Sequence, residues 1–140
     1  MKYLFRKRKP LGDTTKDYPG AAAKASELYA RGFNCAEAVL QATTGREDPE
    51  LIALAKGFGD GIGGSGCLCG AISGGIMALG LEGRPECSQP LVEAFKEHFR
   101  TTCCRGLTKD YTRMSREHLE HCRGITAETA AIVERLLREK

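Results

Sequence analysis

The chain has 140 residues, with 21 lysines and arginines against 18 acidic residues and a formal net charge of +3. This length predicts one domain, which can bury a core without a metal or a disulfide to hold it together. Because the charge is nearly balanced, no nucleic-acid partner is expected.

Residues 1–19 are interpreted as a basic N-terminal tail, and residues 20–140 as one helical cysteine domain. The run FRKRK is followed by neither the apolar stretch nor the cleavage site of a secretory signal. We therefore expect a cytoplasmic protein, in which thiols are kept reduced. Seven cysteines, an odd number, then favour thiol chemistry or metal binding over a framework of disulfides.

Helix signals recur along the chain and strand signals are nearly absent. Strong helix formers follow Pro19, and Gly32 is predicted to end this first helix. Asn34 is a favourable N-cap, and Glu37 three residues later completes a capping box. This pattern makes Cys35 the first residue of the second helix.

A third, short helix begins at Pro49 and is followed by a glycine-rich loop. From about residue 65 to residue 79 the chain is again predicted to be helical, with small residues spaced four apart along one side. We expect Ser65 to cap this helix, so that Cys67 and Cys69 lie in or near its first turn.

This glycine-rich segment has two other interpretations. Gly61, Gly63 and Gly66 match G-x-G-x-x-G, but a helix rather than a strand precedes them, which argues against a dinucleotide site. Residues 61–81 carry no charge over about the length of a membrane span. Since so many of these residues are glycine, we expect a buried central helix and no membrane span.

The second half of the chain continues the helical pattern. One helix begins at Ser88 and is predicted to run into the pair Cys103 and Cys104. The polar segment 107–120 has a weaker pattern, and Thr126 is predicted to cap the closing helix. The sequence therefore predicts an all-α, single-domain helical bundle of five to six helices around a glycine-rich central helix.

Six of the seven cysteines lie at or near predicted helix ends. Helix N-termini stabilise thiolates, and helix ends in a bundle can meet at one pole, where thiolates bind a metal or an iron–sulfur cluster. There is no C-x-x-C motif for a thioredoxin-type site and no C-x-x-C-H motif for haem attachment. These six are Cys35, Cys67, Cys69, Cys103, Cys104 and Cys122.

A zinc site is a second interpretation of the C-terminal half. His118, His121 and Cys122 are spaced to share one side of a helix and could bind zinc together with Cys103 or Cys104. The alternative for the histidines is a solvated helix surface.

Four cysteine segments in order, over about residues 20–140, resemble the family of putative redox-active proteins known by the pattern C_GCAxxG_C_C. In this sequence they read GFNCAEAVLQA, GFGDGIGGSGCLCGAISGGIMALGLEG, EAFKEHFRTTCCRGL and HCRGITAETAAIVERLL. The matching cysteines are Cys35, Cys69, Cys104 and Cys122, and the additional ones are Cys67, Cys87 and Cys103. The order CGA at residues 69–71 differs from the GCA of the pattern, which leaves the ligand within CLC open.

The resemblance implies a redox function. The same domain type is similar to the cluster-bearing part of split-Soret cytochromes, which implies an iron–sulfur cluster as cofactor. The expected ligands of such a cluster, or of another thiophilic metal, are Cys35, Cys69, Cys104 and Cys122, with Cys67 and Cys103 as secondary candidates. The expected function is electron transfer with a redox partner protein. Zinc is the alternative metal, and a homodimer is one of the expected oligomeric states.

Two alternatives to a metal protein stay open. One is a thiol–disulfide oxidoreductase that cycles a disulfide between non-adjacent cysteines, with Cys35 or Cys69 as the nucleophile of low pKa. The other is a helical interaction module whose cysteines are structural, because free cysteine is a common core residue.

Overall fold

The computed structural model describes residue 11 and residues 18–139. The basic run of the predicted tail lies outside the described residues. Those described form six α-helices of eight or more residues, one single-turn α-helix and two short 3-10 turns, with no strands. The helices are α1 (Gly20–Ala30), α2 (Cys35–Thr44), α3 (Pro49–Lys56), α4 (Gly70–Leu81), α5 (Ser88–Phe99), the single turn α6 (Cys104–Leu107) and α7 (Arg116–Arg138). The predicted all-α class is confirmed.

Helix α4 lies at the centre of the bundle and packs against α2, α5 and α7. Its glycines permit these contacts: a side chain on Gly74 would overlap the backbone carbonyl of Ala36 in α2, and one on Gly75 would press against Leu91 and Val133. Close approach of two helix backbones requires such small residues. The predicted glycine-rich central helix is therefore confirmed, and no helix in the described part of the chain is long and apolar enough to cross a membrane.

Helix α7 is the long outer helix and packs along α1. The side chain of Arg123 is buried between them, where its Nε donates to the hydroxyl of Ser26 at 2.9 Å and its Nη1 lies 3.5 Å from a carboxylate oxygen of Glu120. These bonds satisfy a charge that would otherwise be costly to bury. The pair of helices supplies one wall of the site described below.

The central helix begins later than predicted. It begins at Gly70, so Cys69 is its N-cap residue and Cys67 lies outside it. Ser65 does not cap it; the Ser65 hydroxyl donates to the carbonyl of Cys67 at 2.6 Å. Gly66 has a φ of 83°, a left-handed conformation that interrupts a helix.

Two predicted boundaries in the second half are also wrong. Helix α5 does not run into Cys103, because it ends at Phe99 and Arg100 adopts a left-handed conformation with a φ of 72°. Thr126 does not cap the closing helix, because α7 already begins at Arg116 with Ser115 as its N-cap. Thr126 is buried inside α7, and its hydroxyl donates to the carbonyl of Cys122 at 2.7 Å.

Candidate cysteine site

Four cysteines from four separate segments line one cavity of about 320 Å³. They are the four that match the family pattern: Cys35, Cys69, Cys104 and Cys122. The first residue of α2, the N-cap residue of α4, the first residue of α6 and the second turn of α7 supply them. The fold thus brings these four cysteines to one cavity, where no three of their side chains are placed to hold a metal ion together.

The capping box at the start of α2 fixes the position of Cys35. The Asn34 side chain accepts from the backbone N–H of Glu37, and the Glu37 carboxylate accepts from the backbone N–H of Asn34, both at 2.9 Å. The Asn34 amide also donates to the carbonyl of Lys56 at the end of α3, at 3.0 Å. The predicted capping box is therefore confirmed, and it places the thiol of Cys35 in the first turn of a helix.

Gly70 brings the start of α4 against this thiol. A β-carbon on Gly70 would lie 2.5 Å from the Cys35 sulfur and equally close to the carbonyl oxygen of Phe58. No side chain tolerates such contacts, so only glycine fits here. The glycine-rich loop and helix therefore deliver backbone, as well as Cys69, to the sulfur of Cys35.

The three sulfurs of Cys35, Cys69 and Cys104 form a contact series with Cys69 in the middle. A hydrogen bond from Cys69 lowers the pKa of the Cys35 thiol, aided by the backbone N–H groups of Asp60 and Ala36 and opposed by burial. The pKa of Cys69 is raised well above its ordinary value by its hydrogen bonds with Cys104 and Cys35 and by burial. The two shifts are opposite in direction, so Cys35 loses its proton more readily than Cys69.

Cys122 completes the set from α7. Burial, together with the charges of Cys35 and Cys104, raises its pKa to about 12. Cys122 is therefore a neutral thiol at physiological pH. The pKa of Cys35 is lowered, whereas those of Cys69 and Cys122 are raised. Of these three thiols, Cys35 is therefore the one suited to nucleophilic attack.

Apolar side chains and a few polar groups make up the rest of the cavity lining. Phe33, Leu107 and Ile125 are among the apolar residues, and His118 and Asp60 are among the polar ones. His118 is buried, its Nδ1 accepts from the backbone N–H of Met114 at 2.8 Å, and burial lowers its pKa. The imidazole beside the cysteines is therefore neutral.

Asp60 was not among the predicted site residues, although it is the only charged residue of the glycine-rich segment from Gly57 to Gly80. It adopts a left-handed conformation, with a φ of 60°, and its carboxylate accepts from the guanidinium of Arg113. Its backbone N–H contacts the Cys35 sulfur. A charged residue isolated in a glycine-rich loop was the signal that could have identified it.

The predicted zinc set is not assembled in this arrangement. His118 and Cys122 line the cavity, but the Nε2 of His121 bonds the carbonyl of Leu107 at 3.0 Å and its ring stacks on Tyr111. Cys103, one of the two predicted partners, is bonded to another cysteine. No three histidine, cysteine or acidic side chains in the described part of the chain are placed to hold a metal ion together.

Cys67 and Cys103, the secondary ligand candidates, form a disulfide. They do not line the cavity. Cys87 is buried apart from both, with a guanidinium nitrogen of Arg84 at 3.4 Å from its sulfur. Nothing in the spacing of Cys67 and Cys103 along the chain indicates that they would pair, because their contact depends on how two loops meet.

A family model described as "Putative redox-active protein (C_GCAxxG_C_C)" matches residues 33–136. The match spans all four cavity cysteines and most of the chain. Comparisons with curated proteins and with solved structures found no match.

Proposed function

This chain belongs to the C_GCAxxG_C_C family, and from that premise we propose that it is a redox protein that binds an iron–sulfur cluster, or another thiophilic metal centre, for electron transfer. One observation carries the proposal: the cysteines that match the family pattern all line the same cavity. Iron–sulfur clusters are held by four cysteine thiolates. The chemistry of the donor set therefore fits such a cluster.

Cys35, Cys69, Cys104 and Cys122 would hold the centre, which when bound would supply one-electron redox chemistry. In the arrangement described above, Cys69 and Cys122 are protonated thiols, because hydrogen bonding and burial raise the pKa of Cys69 and burial raises that of Cys122. Ligation requires these sulfurs to lose their protons and to turn toward a common point. Metal binding should therefore release protons and weaken as the pH falls.

The protein surrounds the sulfurs with groups that tune a redox centre. The backbone N–H groups of Asp60 and Ala36 are directed at the sulfur of Cys35. Hydrogen bonds to ligand sulfurs and exclusion of water both shift the reduction potential. The apolar wall that includes Phe33 and Ile125 provides the second of these effects.

The test is anaerobic purification of the full chain, followed by iron, sulfide and zinc analysis and an absorption spectrum between about 300 and 600 nm, where thiolate-bound clusters absorb. We expect iron and sulfide in the protein, with loss of both in the Cys35→Ser and Cys122→Ser variants. The matched control is Cys87→Ser, because Cys87 is also a free cysteine but lies outside the cavity. A folded protein without metal, sulfide or absorption would contradict the proposal.

A second candidate function is thiol–disulfide exchange at the same cysteines. The contrast between the lowered pKa of Cys35 and the raised pKa of Cys69 favours it, since an attacking thiolate beside a protonated thiol is the arrangement that exchange requires. In this mechanism Cys35 attacks a substrate disulfide, and Cys69 then resolves the mixed disulfide. Mass spectrometry after mild oxidation distinguishes the candidates, because only this second one gives a defined and reversible Cys35–Cys69 pair.

A further inference from the structure

The Cys67–Cys103 disulfide joins the two segments that deliver cavity cysteines. Cys67 lies two residues before Cys69, and Cys103 directly precedes Cys104. The same segments are also held by backbone hydrogen bonds, from Cys69 N–H to the carbonyl of Thr102 at 2.7 Å and from Arg105 N–H to the carbonyl of Gly66 at 3.0 Å. The disulfide is therefore not needed to bring the segments together, and its breakage would leave these bonds in place.

Solvent reaches part of the pair. Cys67 and Cys103 are each partly exposed, as are the cavity cysteines Cys35, Cys104 and Cys122, whereas Cys69 and Cys87 are buried. A dissolved thiol can approach a disulfide sulfur only where solvent reaches it. The pair is thus accessible to an external reductant in a way that buried cysteines are not.

A positive charge accompanies the pair. The side chain of Arg105 packs over Gly66, where a β-carbon would lie 2.5 Å from the Cγ of Arg105, and its guanidinium donates to the carbonyl of Ser65 at 3.3 Å. Cations near cysteine favour the thiolate form. Arg105 therefore places a positive charge beside the segment that carries Cys67, and a charge of this sign favours both an incoming thiolate and the thiolate that leaves when the disulfide opens.

From this placement we propose that Cys67 and Cys103 form a second redox site, an exchangeable disulfide that reacts with dithiols from solution. The site lies outside the cavity, and its cysteines are additional to those that match the family pattern. The proposal does not rest on the function proposed above, since it requires no metal and no reaction at Cys35.

The dithiol supplies the electrons and protons that the exchange requires. A thiolate of the dithiol attacks one sulfur of the pair, the Cys67–Cys103 bond breaks, and a mixed disulfide forms while the released thiolate takes up a proton. The second thiol of the dithiol then attacks the mixed disulfide and releases the other cysteine. The protein disulfide gains two electrons and two protons, and the dithiol loses them and becomes a disulfide.

The experiment uses the full chain in buffers that contain dithiothreitol and its oxidised form in varied ratio, without denaturant. After alkylation and digestion, the masses of the peptides that contain Cys67 and Cys103 report whether the two are bonded. We expect both to pass together and reversibly from the disulfide to two alkylated thiols, while Cys87 stays unlabelled. The Cys87→Ser variant should behave as the wild type, and Cys67→Ser should abolish the paired transition.

Reduced thioredoxin, as a protein dithiol, provides a second arm. Faster exchange with thioredoxin than with dithiothreitol at equal concentration assigns the site to protein partners, and exchange with dithiothreitol alone assigns it to small dithiols. The proposal is overturned if the two cysteines are thiols in every buffer, or if the disulfide opens only after denaturant is added. Metal content is measured on a separate sample, so failure of the proposed metal centre does not affect this readout.

Discussion

The sulfur of Cys35 occupies the space that a side chain on Gly70 would need. The two residues come from the first turns of α2 and α4, the helix pair that packs most extensively in the bundle. Because a β-carbon at position 70 would lie 2.5 Å from that sulfur, the contact requires glycine there. The position of the Cys35 thiol and the packing of the central helix are therefore set by the same contact.

Replacement of Gly70 by alanine should displace Cys35 or the start of α4. An added methyl group in a packed interior costs about 1–3 kcal/mol. We expect a loss of that size in the free energy of unfolding, measured by urea titration, and a changed rate of Cys35 alkylation. Gly80→Ala is the matched control in the same helix, since a β-carbon there meets nothing within 4 Å. That variant should be no less stable than the wild type, and by the usual helix preference it should gain about 0.5–1 kcal/mol.

The low pKa of Cys35 should depend on Cys69. Its largest cause is the hydrogen bond from Cys69, so Cys69→Ala should raise the pKa of Cys35, whereas Cys69→Ser should restore much of the effect because a hydroxyl also donates. The measurement is the rate of Cys35 alkylation against pH, followed by peptide mass. In both the wild type and Cys69→Ser, the rate should rise at lower pH than in Cys69→Ala. Identical profiles for the three proteins would rule out this cause.

The capping box before Cys35 should contribute measurably to stability. Asn34→Ala removes the bond to the Glu37 N–H and the bond to the Lys56 carbonyl. Loss of an N-cap side chain costs about 0.5–2 kcal/mol, and we expect a decrease in that range by chemical denaturation. Asp48→Ala is the comparison, because Asp48 occupies the N-cap of α3 without a side-chain capping bond. If the two variants lost equal stability, the capping box of α2 would not be the cause of the loss in Asn34→Ala.

Acid should weaken the fold through His118. Burial lowers the pKa of this imidazole, so the unfolded chain takes up a proton more readily than the folded one. The stability that the neutral ring provides is present above about pH 6.5 and is lost as the pH falls through the lower pKa of the folded state. Protonation of Nδ1 also removes its acceptor lone pair. The hydrogen bond from the backbone N–H of Met114 is then lost, and two N–H groups face each other.

The His118→Asn variant keeps an acceptor near the position of Nδ1 but cannot titrate in this range. Its stability, measured by urea titration from pH 7 to pH 5, should fall less steeply than that of the wild type. The exposed His98 on α5 serves as control, and His98→Gln should retain the steeper fall. If His118→Asn and the wild type have parallel profiles, another group is responsible for the acid sensitivity.

Local signals predicted the parts of the site that local chemistry determines. The Asn34–Glu37 capping box lies within four consecutive residues, so the placement of Cys35 at a helix start could be predicted and is confirmed. The small residues of the central helix predicted close backbone contact, and Gly70 and Gly74 make such contacts. The clustering of helix-end cysteines followed from the geometry of a bundle, although spacing alone did not identify which cysteines would meet.

Interactions between distant segments determined the rest. The central helix begins at Gly70 because the residues before it bond elsewhere; for example, Cys69 N–H donates to Thr102. Thr126 is a favourable N-cap residue in the sequence, but α7 packs against α1 and continues through this position. The Cys67–Cys103 pair forms where two loops meet, so no local sequence pattern predicts it.

The four cavity cysteines lie far apart in sequence, from Cys35 to Cys122, and an unfolded chain cannot present them together. Binding of the metal centre in the cavity would therefore require the folded state, and only correctly folded molecules could acquire the centre. Once loaded, the centre would link four segments of the backbone, and by mass action the folded state would gain stability as the free concentration of the ligand rises above its dissociation constant. Thermal stability measured with and without the centre would then report the fraction of molecules that are complete.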